Sequence, residues 1–424
     1  MASQDTKRIA LCPVFTGTTK CIVLAVSTSI KEHPVSQENA SEGQKVSPGN
    51  GMIMALVGLL LSYNLSLNVT PILNGVWASD PGLSPREAGL VISGQIVAMA
   101  LTMLFLARRL RKLEPSRLAK ISILLVGIGH VASALATSLI LIFCFFALTG
   151  LGIGIQLACL SGLLSQSIRA DRTYAIAIML TSIAVAFLTI GYAWLAAAVD
   201  RHTLFLALLL VPLVQLGLCK FIPRTEPLLD SDVAEPYAVG GIPPVLFALC
   251  FMQMGGMAVW AFTERQGHHL GITTELIGTI LAATAISGIC GASIAALVAK
   301  GHLRRIMAVL GLVGFGAANV GIVIATGWIG YAGALQLQAF TLTFTLPFLT
   351  AIALEVPDRG QTAIKANGWS MLAGATSPYI AGWLIELQGF GAIAIYCGVA
   401  MIISIVAIMP RTYRNRANRP STTF

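Results

Sequence analysis

The stretch FMQMGGMAVWAFTER, residues 251–265, is apolar enough for a lipid bilayer yet carries a Gln, a Trp and, at its end, an acid beside a base. At about 100° per residue, Gln253, Gly256, Met257, Trp260 and Glu264 share one face of a helix. A helix that touches only lipid has no use for such a stripe, because a buried unpaired amide costs roughly 2–7 kcal/mol. That face is expected to look at protein, water or a solute.

The whole chain fits a membrane setting. Of its 424 residues, 56% are hydrophobic and 11% charged, with mean hydropathy +0.81. Soluble domains carry roughly 25% charged residues, so this chain lacks the polar surface to clothe a globule in water. Long continuous apolar runs also exclude an outer-membrane barrel, whose strands alternate over about ten residues. The expected class is an all-α polytopic membrane protein.

Apolar spans are expected near 52–76, 87–107, 118–136, 139–164, 174–198, 203–222, 244–264, 276–298, 305–325, 328–353, 363–385 and 390–409, which makes twelve. The loop 223–243, rich in Pro and acids, divides them six and six, so that 52–222 and 244–410 are two halves joined by a linker. Residues 1–51 are polar and read as a disordered cytoplasmic tail, with a targeting peptide, or a true start near Met52, as the other readings; 411–424 is a basic tail. Six of the eight cysteines lie inside spans, none in a C-x-x-C pair, and read as small buried hydrophobes.

The net charge of +9 sits in short clusters between spans rather than over a face with interleaved aromatics. It therefore reads as topology signal and lipid attraction, not as a nucleic-acid footprint. With a cytoplasmic N-terminus, only Arg86, Arg201 and Arg265 fall on the far side, whereas the basic loops after spans 2, 4, 8 and 10 and the C-terminal tail fall inside. Both termini are expected in the cytoplasm of a cell bounded by this plasma (inner) membrane.

The chain also repeats itself at an offset near 189. Leu83-Ser84 with Gly89 answers Ile272-Thr273 with Gly278, and Trp194-Leu195 answers Trp383-Leu384. Asp171-Arg172 answers Asp358-Arg359, and the bases at Arg108-Arg109 answer Lys300, Arg304 and Arg305. Six helices repeated in one orientation form a parallel duplication about an axis along the membrane normal.

With these marks, residues 52–410 resemble the major facilitator superfamily (MFS). Its general motif is a basic turn, G-x-x-x-D-[RK]-x-G-[RK]-[RK], between helices 2 and 3 and again between 8 and 9. Here Leu106-Ala107-Arg108-Arg109-Leu110-Arg111-Lys112 keeps the bases without the acid, and Ala299-Lys300-Gly301-His302-Leu303-Arg304-Arg305 has Ala in the acid's place. The Gly150-Leu151-Gly152-Ile153-Gly154 run of helix 4 lacks the preceding Arg, with Phe146 in its place. Gly191-Tyr192-Ala193-Trp194 in helix 5 differs from the pattern of the family's drug–proton antiporters. The resemblance implies twelve transmembrane helices in two six-helix repeats, a gating role for the turns of Arg108 and Lys300, and a solute cavity lined by helices 1, 4, 7 and 10.

The candidates for that cavity are neutral. Span 1 contributes Asn64, near mid-bilayer, and Asn68 one turn on; the repeat offset carries Asn64 onto Gln253. Span 4 adds Gln156, span 7 Trp260, span 10 either Gln336 or Gln338, and the start of span 11 Asn367 beside Lys365, which is placed to snorkel. Hydrogen bonding between helices is the competing use of all these amides. His130 in span 3 is expected to be a packed histidine, and the paired small residues Gly150 and Gly154, like Gly288 and Ala292, to be sites of close helix contact.

Glu264 lies about 30 Å along span 7, which puts it at the outer rim, either as a coupling or gating acid or as a solvated helix end. No phosphate loop, catalytic cluster or H-E-x-x-H occurs, and His268-His269 is too small a set for a metal site. The expectation is a non-enzymatic, cofactor-free, monomeric secondary transporter for a small neutral or weakly charged organic solute. Proton-coupled symport and uncoupled facilitation are both open, and a transporter-like receptor is a further alternative.

Overall fold

A computed structural model describes residues 50–107, 114–165, 170–222, 244–298, 303–353 and 359–409. Arg108, Lys300, the 1–49 tail, the 223–243 linker and residues 410–424 lie outside them, as do the side chains of Lys365 and Asn367.

All the described elements are helical: α1 Asn50–Ser79, α2 Pro85–Ala107, α3 Pro115–Leu135, α4 Leu139–Ser165, α5 Ala170–Ala198, α6 Arg201–Ala207, α7 Leu210–Leu218, α8 Pro244–Trp260, α9 Thr263–His269, α10 Thr274–Val298, α11 Arg304–Ile324, α12 Trp328–Ala353, α13 Arg359–Gln388 and α14 Gly391–Ile408. A 3-10 turn, Cys219–Phe221, continues α7, so that Arg201–Phe221 crosses as one broken sixth span. Among the described residues, ten segments are long and apolar enough to cross a membrane, and α8 with α9 make an eleventh, bent by 41°. With α13, which crosses beside α2, the helices form twelve spans in two groups of six.

Within the first half, α2 packs against α4, α4 against α3, and α1 against α5; within the second, α8 packs against α13 and α14, and α12 against α10 and α11. Side chains such as Phe187, Ile140, Leu297 and Ile395 point outward where lipid solvates them. Small residues set the close helix approaches. A Cβ on Gly150 would lie 2.2 Å from the Gln95 carbonyl oxygen, and one on Gly291 2.1 Å from that of Phe340. The first of these glycines was expected; in α10 the tight contact falls at Gly291 rather than Ala292.

The two ends of the bundle differ. Asn50, Phe221, Pro244 and Ile408 mark the proximal face, and the turns after α1, α5, α9 and α13 mark the distal face. Two distal turns are built alike, because Gly82 and Gly271, 189 residues apart, both adopt positive φ (81° and 73°). Only glycine does this freely, and it frees the chain to reverse into Leu83-Ser84 and Ile272-Thr273. Ser84 and Glu87 then form a reciprocal capping box at the start of α2. Asp200 caps α6 by accepting from the backbone N–H groups of His202 and Thr203. The Thr203 hydroxyl first, and then those N–H groups, hold its carboxyl below the ordinary range. Trp194 and Trp383, also related by the repeat, stand 62% and 46% exposed near the distal ends of α5 and α13, where indole suits a membrane interface.

Candidate functional site

The helix wheel that placed Glu264 in line with Gln253 and Trp260 fails at one point. The α-helix stops at Trp260 and resumes at Thr263, so a 41° bend separates Glu264 from that stripe. The reading of Glu264 as a solvated helix end is corrected as well. Glu264 is 1% exposed, lodged between α1 and α10 instead of solvated at a helix end.

What the bend achieves is contact across the two halves. Pro71 has no N–H, so the Leu67 carbonyl one turn earlier in α1 has no intrahelical partner. The Trp260 indole Nε1–H donates to that carbonyl at 2.8 Å. One turn further, the Asn74 amide donates to the Ala261 carbonyl at 2.6 Å, which the bend has freed. The Asn74 Oδ1 in turn accepts from Arg265 Nε at 2.7 Å, and Arg265 Nη2 reaches the Leu83 carbonyl at 3.0 Å. Two polar backbone defects, one in each half, are thus satisfied by the other half.

Glu264 fits the same seam. A Cβ on Gly75 would come within 1.7 Å of Glu264 Oε2, so the carboxyl occupies space that only glycine leaves open. The offset of 189 carries Glu264 onto Gly75 and Trp260 onto Pro71. Equivalent positions of the two halves therefore meet, large against small. Glu264 Oε1 lies 3.3 Å from His268 Nε2 and 3.5 Å from the Thr274 hydroxyl, which itself lies 3.1 Å from His268 Nε2. Oε2 has no hydrogen-bond partner. The His268 side chain is 46% exposed, so this group runs from a buried acid to the distal surface.

Two further cross-half seams flank it and repeat each other. Between α2 and α13, a Cβ on Gly89 would meet the Pro378 carbonyl oxygen at 2.2 Å; between α10 and α5, a Cβ on Gly278 would meet Ala193 Cβ at 2.0 Å. Arg86 reinforces the first, donating to the Tyr379 hydroxyl at 3.0 Å while its backbone N–H donates to Glu386 at 3.0 Å. The α2–α13 contact continues to the proximal end, where Gly368 meets Leu104.

The expected cavity residues divide. Asn64 and Asn68 are half-buried, and each spends its amide N–H on its own helix, at the Leu60 and Asn64 carbonyls. Their Oδ1 atoms have no partner among the described residues. Gln253, also half-buried, packs on Gly374 of α13. Gln156 and Gln338 are committed inside their own halves, which corrects their placement in the cavity. Gln156, 0% exposed, bonds to Gln215, which also holds Ser62 and the Gly58 carbonyl. Gln338 donates to Asn319 at 2.7 Å, and Gln336 to the Ile280 carbonyl. Trp260 sits in the cross-half seam. His130 is buried as expected, in the wall of a small first-half cavity of about 10 Å³ that Ser62 and Ser66 also line; its Nδ1 is unpartnered.

Sequence reasoning gave no site role to Asn74, Gly75, His268, Thr274 or Tyr379. The repeat carried the signal for Gly75 and for Pro71 with Trp260, had it been read as contact rather than only as duplication. Nothing in the linear pattern announced Asn74 or Tyr379.

Comparison with known proteins matches this architecture. Residues 54–244 match the sequence model of the Major Facilitator Superfamily. No curated protein matches the sequence. A crystal structure of a point mutant of the nucleoside transporter NupG is similar with TM-score 0.66 at 10% identity, covering 85% of this chain and 98% of that one. A crystal structure of a D-xylose–proton symporter gives TM-score 0.67 at 15% identity, covering 85% and 96%. The human organic anion transporter MFSD10 (TETRAN) gives 0.59 at 15%, covering 84% and 98%. In sequence over residues 54–244 the chain is similar to the Major Facilitator Superfamily, and over its described length its fold is that of these transporter structures.

Proposed function

We propose that the protein is a secondary transporter that moves a small neutral or weakly charged polar organic solute by alternating access, with proton coupling through Glu264. The observation that carries this reading is the distal seam. Two repeat-related halves are held together there by contacts that satisfy each other's backbone defects, and such contacts can be exchanged as the halves rock. The proximal face, with the described ends at Asn50 and Met409, is taken as cytoplasmic. The units that move are 52–222 and 244–410, and one chain suffices for the cycle.

On the proximal side of Trp260, Asn64, Asn68 and Gln253 present amide groups near mid-helix, and Asn367 is the further candidate from α13. Spare amide oxygens suit the hydroxyl and N–H donors of a polar neutral solute. The only buried Arg or Lys among the described residues is Arg201, which is engaged at the distal loops. A neutral lining of this kind favours solutes like the nucleoside and the sugar of two similar structures over an organic anion. Glu264 is the one buried acid among the described residues, which makes it the coupling candidate.

The test is uptake by purified protein in vesicles, over a panel of nucleosides, sugars and aromatic compounds, with and without an imposed pH gradient. Accumulation that collapses with a protonophore is expected; flux that ignores the gradient makes the chain an uncoupled facilitator, and no flux at all overturns the reading. Asn64→Ala and Gln253→Ala should weaken apparent solute affinity about 5- to 100-fold, the range of one or two lost hydrogen bonds. Gln156→Leu serves as the contrast, with altered stability and unchanged affinity.

A further inference from the structure

We infer that Glu264 and His268 form a one-proton latch that holds the distal face shut, with Gly75 as the receptacle for the carboxyl group. The inference rests on the transporter reading above and assigns the direction in which protons act on it.

The geometry constrains the protonation state. Glu264 is sealed between α1 and α10, and its Oε1 faces His268 Nε2 and the Thr274 hydroxyl while Oε2 has no partner. A carboxylate facing a neutral imidazole would leave a full negative charge in a nearly dry site, which costs several kcal/mol even after relaxation. One proton removes that cost wherever it sits. On the acid it gives a neutral carboxyl bonded to imidazole nitrogen; on the imidazole it gives an ion pair. The pair therefore binds the proton as a unit.

No nearby charged group other than His268 bonds to the Glu264 carboxyl. Arg265 spends its guanidinium hydrogen bonds on Asn74 and the Leu83 carbonyl, and acts on Glu264 and Glu386 only through space. From α13, Glu386 accepts the Arg86 N–H. From α10, Glu275 stands near His268 and adds negative potential. From α5 and α12 the facing titratable groups are the Tyr192 and Tyr331 hydroxyls; Tyr331 donates to the Thr263 carbonyl. Span 1 offers only Gly75 and Asn74 at this level.

Entry and release of the proton have a route, since His268 reaches the distal surface while Glu264 does not. Loss of the proton leaves an uncompensated buried charge whose relief is hydration, and water reaches Glu264 only if α9 leaves Gly75. Protonation closes the distal face; deprotonation opens it. The repeat explains why the latch is single. The equivalent position in α1 must be glycine to receive the carboxyl, so only the second half can carry an acid there.

The test measures closure and flux separately. Nitroxide labels at Ala78→Cys and Leu387→Cys, exposed distal positions in opposite halves, on a background free of other cysteines, report the distal distance in lipid nanodiscs across pH 5–9. The short-distance population should fall as pH rises, by up to about tenfold in the closed-to-open ratio per pH unit, the limit for one proton. Glu264→Gln should stay closed across that range, and His268→Gln should shift the midpoint. Gly75→Ala, whose Cβ collides with the carboxyl, should favour the open form at every pH. A wild-type distance independent of pH, or an unchanged pH response in Glu264→Gln, overturns the latch. Vesicle flux on the same variants keeps the two claims apart. Flux without pH-dependent closure sinks the latch alone, and pH-dependent closure without flux sinks the transporter reading while the latch stands.

Discussion

A single hydrogen bond shows how this chain turns a local defect into a long-range contact. Proline in a helix interior leaves one carbonyl without its donor, and in α1 that carbonyl belongs to Leu67. Trp260, from the other half, supplies the donor at 2.8 Å. Trp260→Phe keeps the aromatic bulk and removes the N–H, so it should destabilise the distally closed form by about 1–3 kcal/mol, the cost of an unsatisfied buried carbonyl. Pro71→Ala restores an N–H within α1 and should rescue much of that loss in the double variant. Label distances at the distal face measure the coupling, and additive effects would show that the indole acts by bulk alone. Solute affinity should change little in Trp260→Phe, which separates this role from that of a cavity wall.

Two glycines set the approach of whole elements. Gly89 in α2 and Gly278 in α10 occupy equivalent repeat positions and face α13 and α5 across the seam. Added methyl groups would land 2.2 Å from a carbonyl oxygen and 2.0 Å from a Cβ, both attached to helix backbone that cannot swing aside. Gly89→Ala and Gly278→Ala should therefore hold the halves apart distally and cut flux at least tenfold, while each half keeps its own fold. Gly191→Ala in α5, where a Cβ meets nothing within 4 Å, is the matched control and should stay within about 0.5 kcal/mol of wild type. The repeat motif that exposed the duplication is thus a contact motif. Its glycines stand out in the sequence because the constraint acts on two helices at once.

Over the whole molecule, the fold was legible because membrane spans announce themselves through composition, and the duplication through glycines and tryptophans that lipid and close helix contact place alike. The site was legible only in part. Asn64, Gln253 and Trp260 stood out as polar groups in apolar helices, but polarity alone cannot separate a solute contact from a helix–helix contact, as Gln156 and Gln338 demonstrate. Glu264 was read on the same face as Gln253 and Trp260 because an uninterrupted helix was assumed past Trp260. The same limit governs the three far-side bases, which charge counting treats only as exceptions to the positive-inside bias. Each has a partner: Arg86 on Tyr379, Arg265 on Asn74 and Leu83, and Arg201 on the Ala136 carbonyl and Asp80. Only the first two cross between halves. Arg86→Gln with Arg265→Gln should therefore loosen distal closure without reducing the yield of folded protein, and should leave a C-terminal tag on the cytoplasmic side, since removing far-side charge strengthens the orientation signal. Arg201→Gln should act differently. It strands a buried carbonyl and should lower first-half stability by about 1–3 kcal/mol, with closure unchanged. Thermal unfolding, distal distances and tag accessibility in intact cells read the three effects separately. If Arg201→Gln opened the distal face as the other pair does, the distal bases would form one network rather than two seams and a strut.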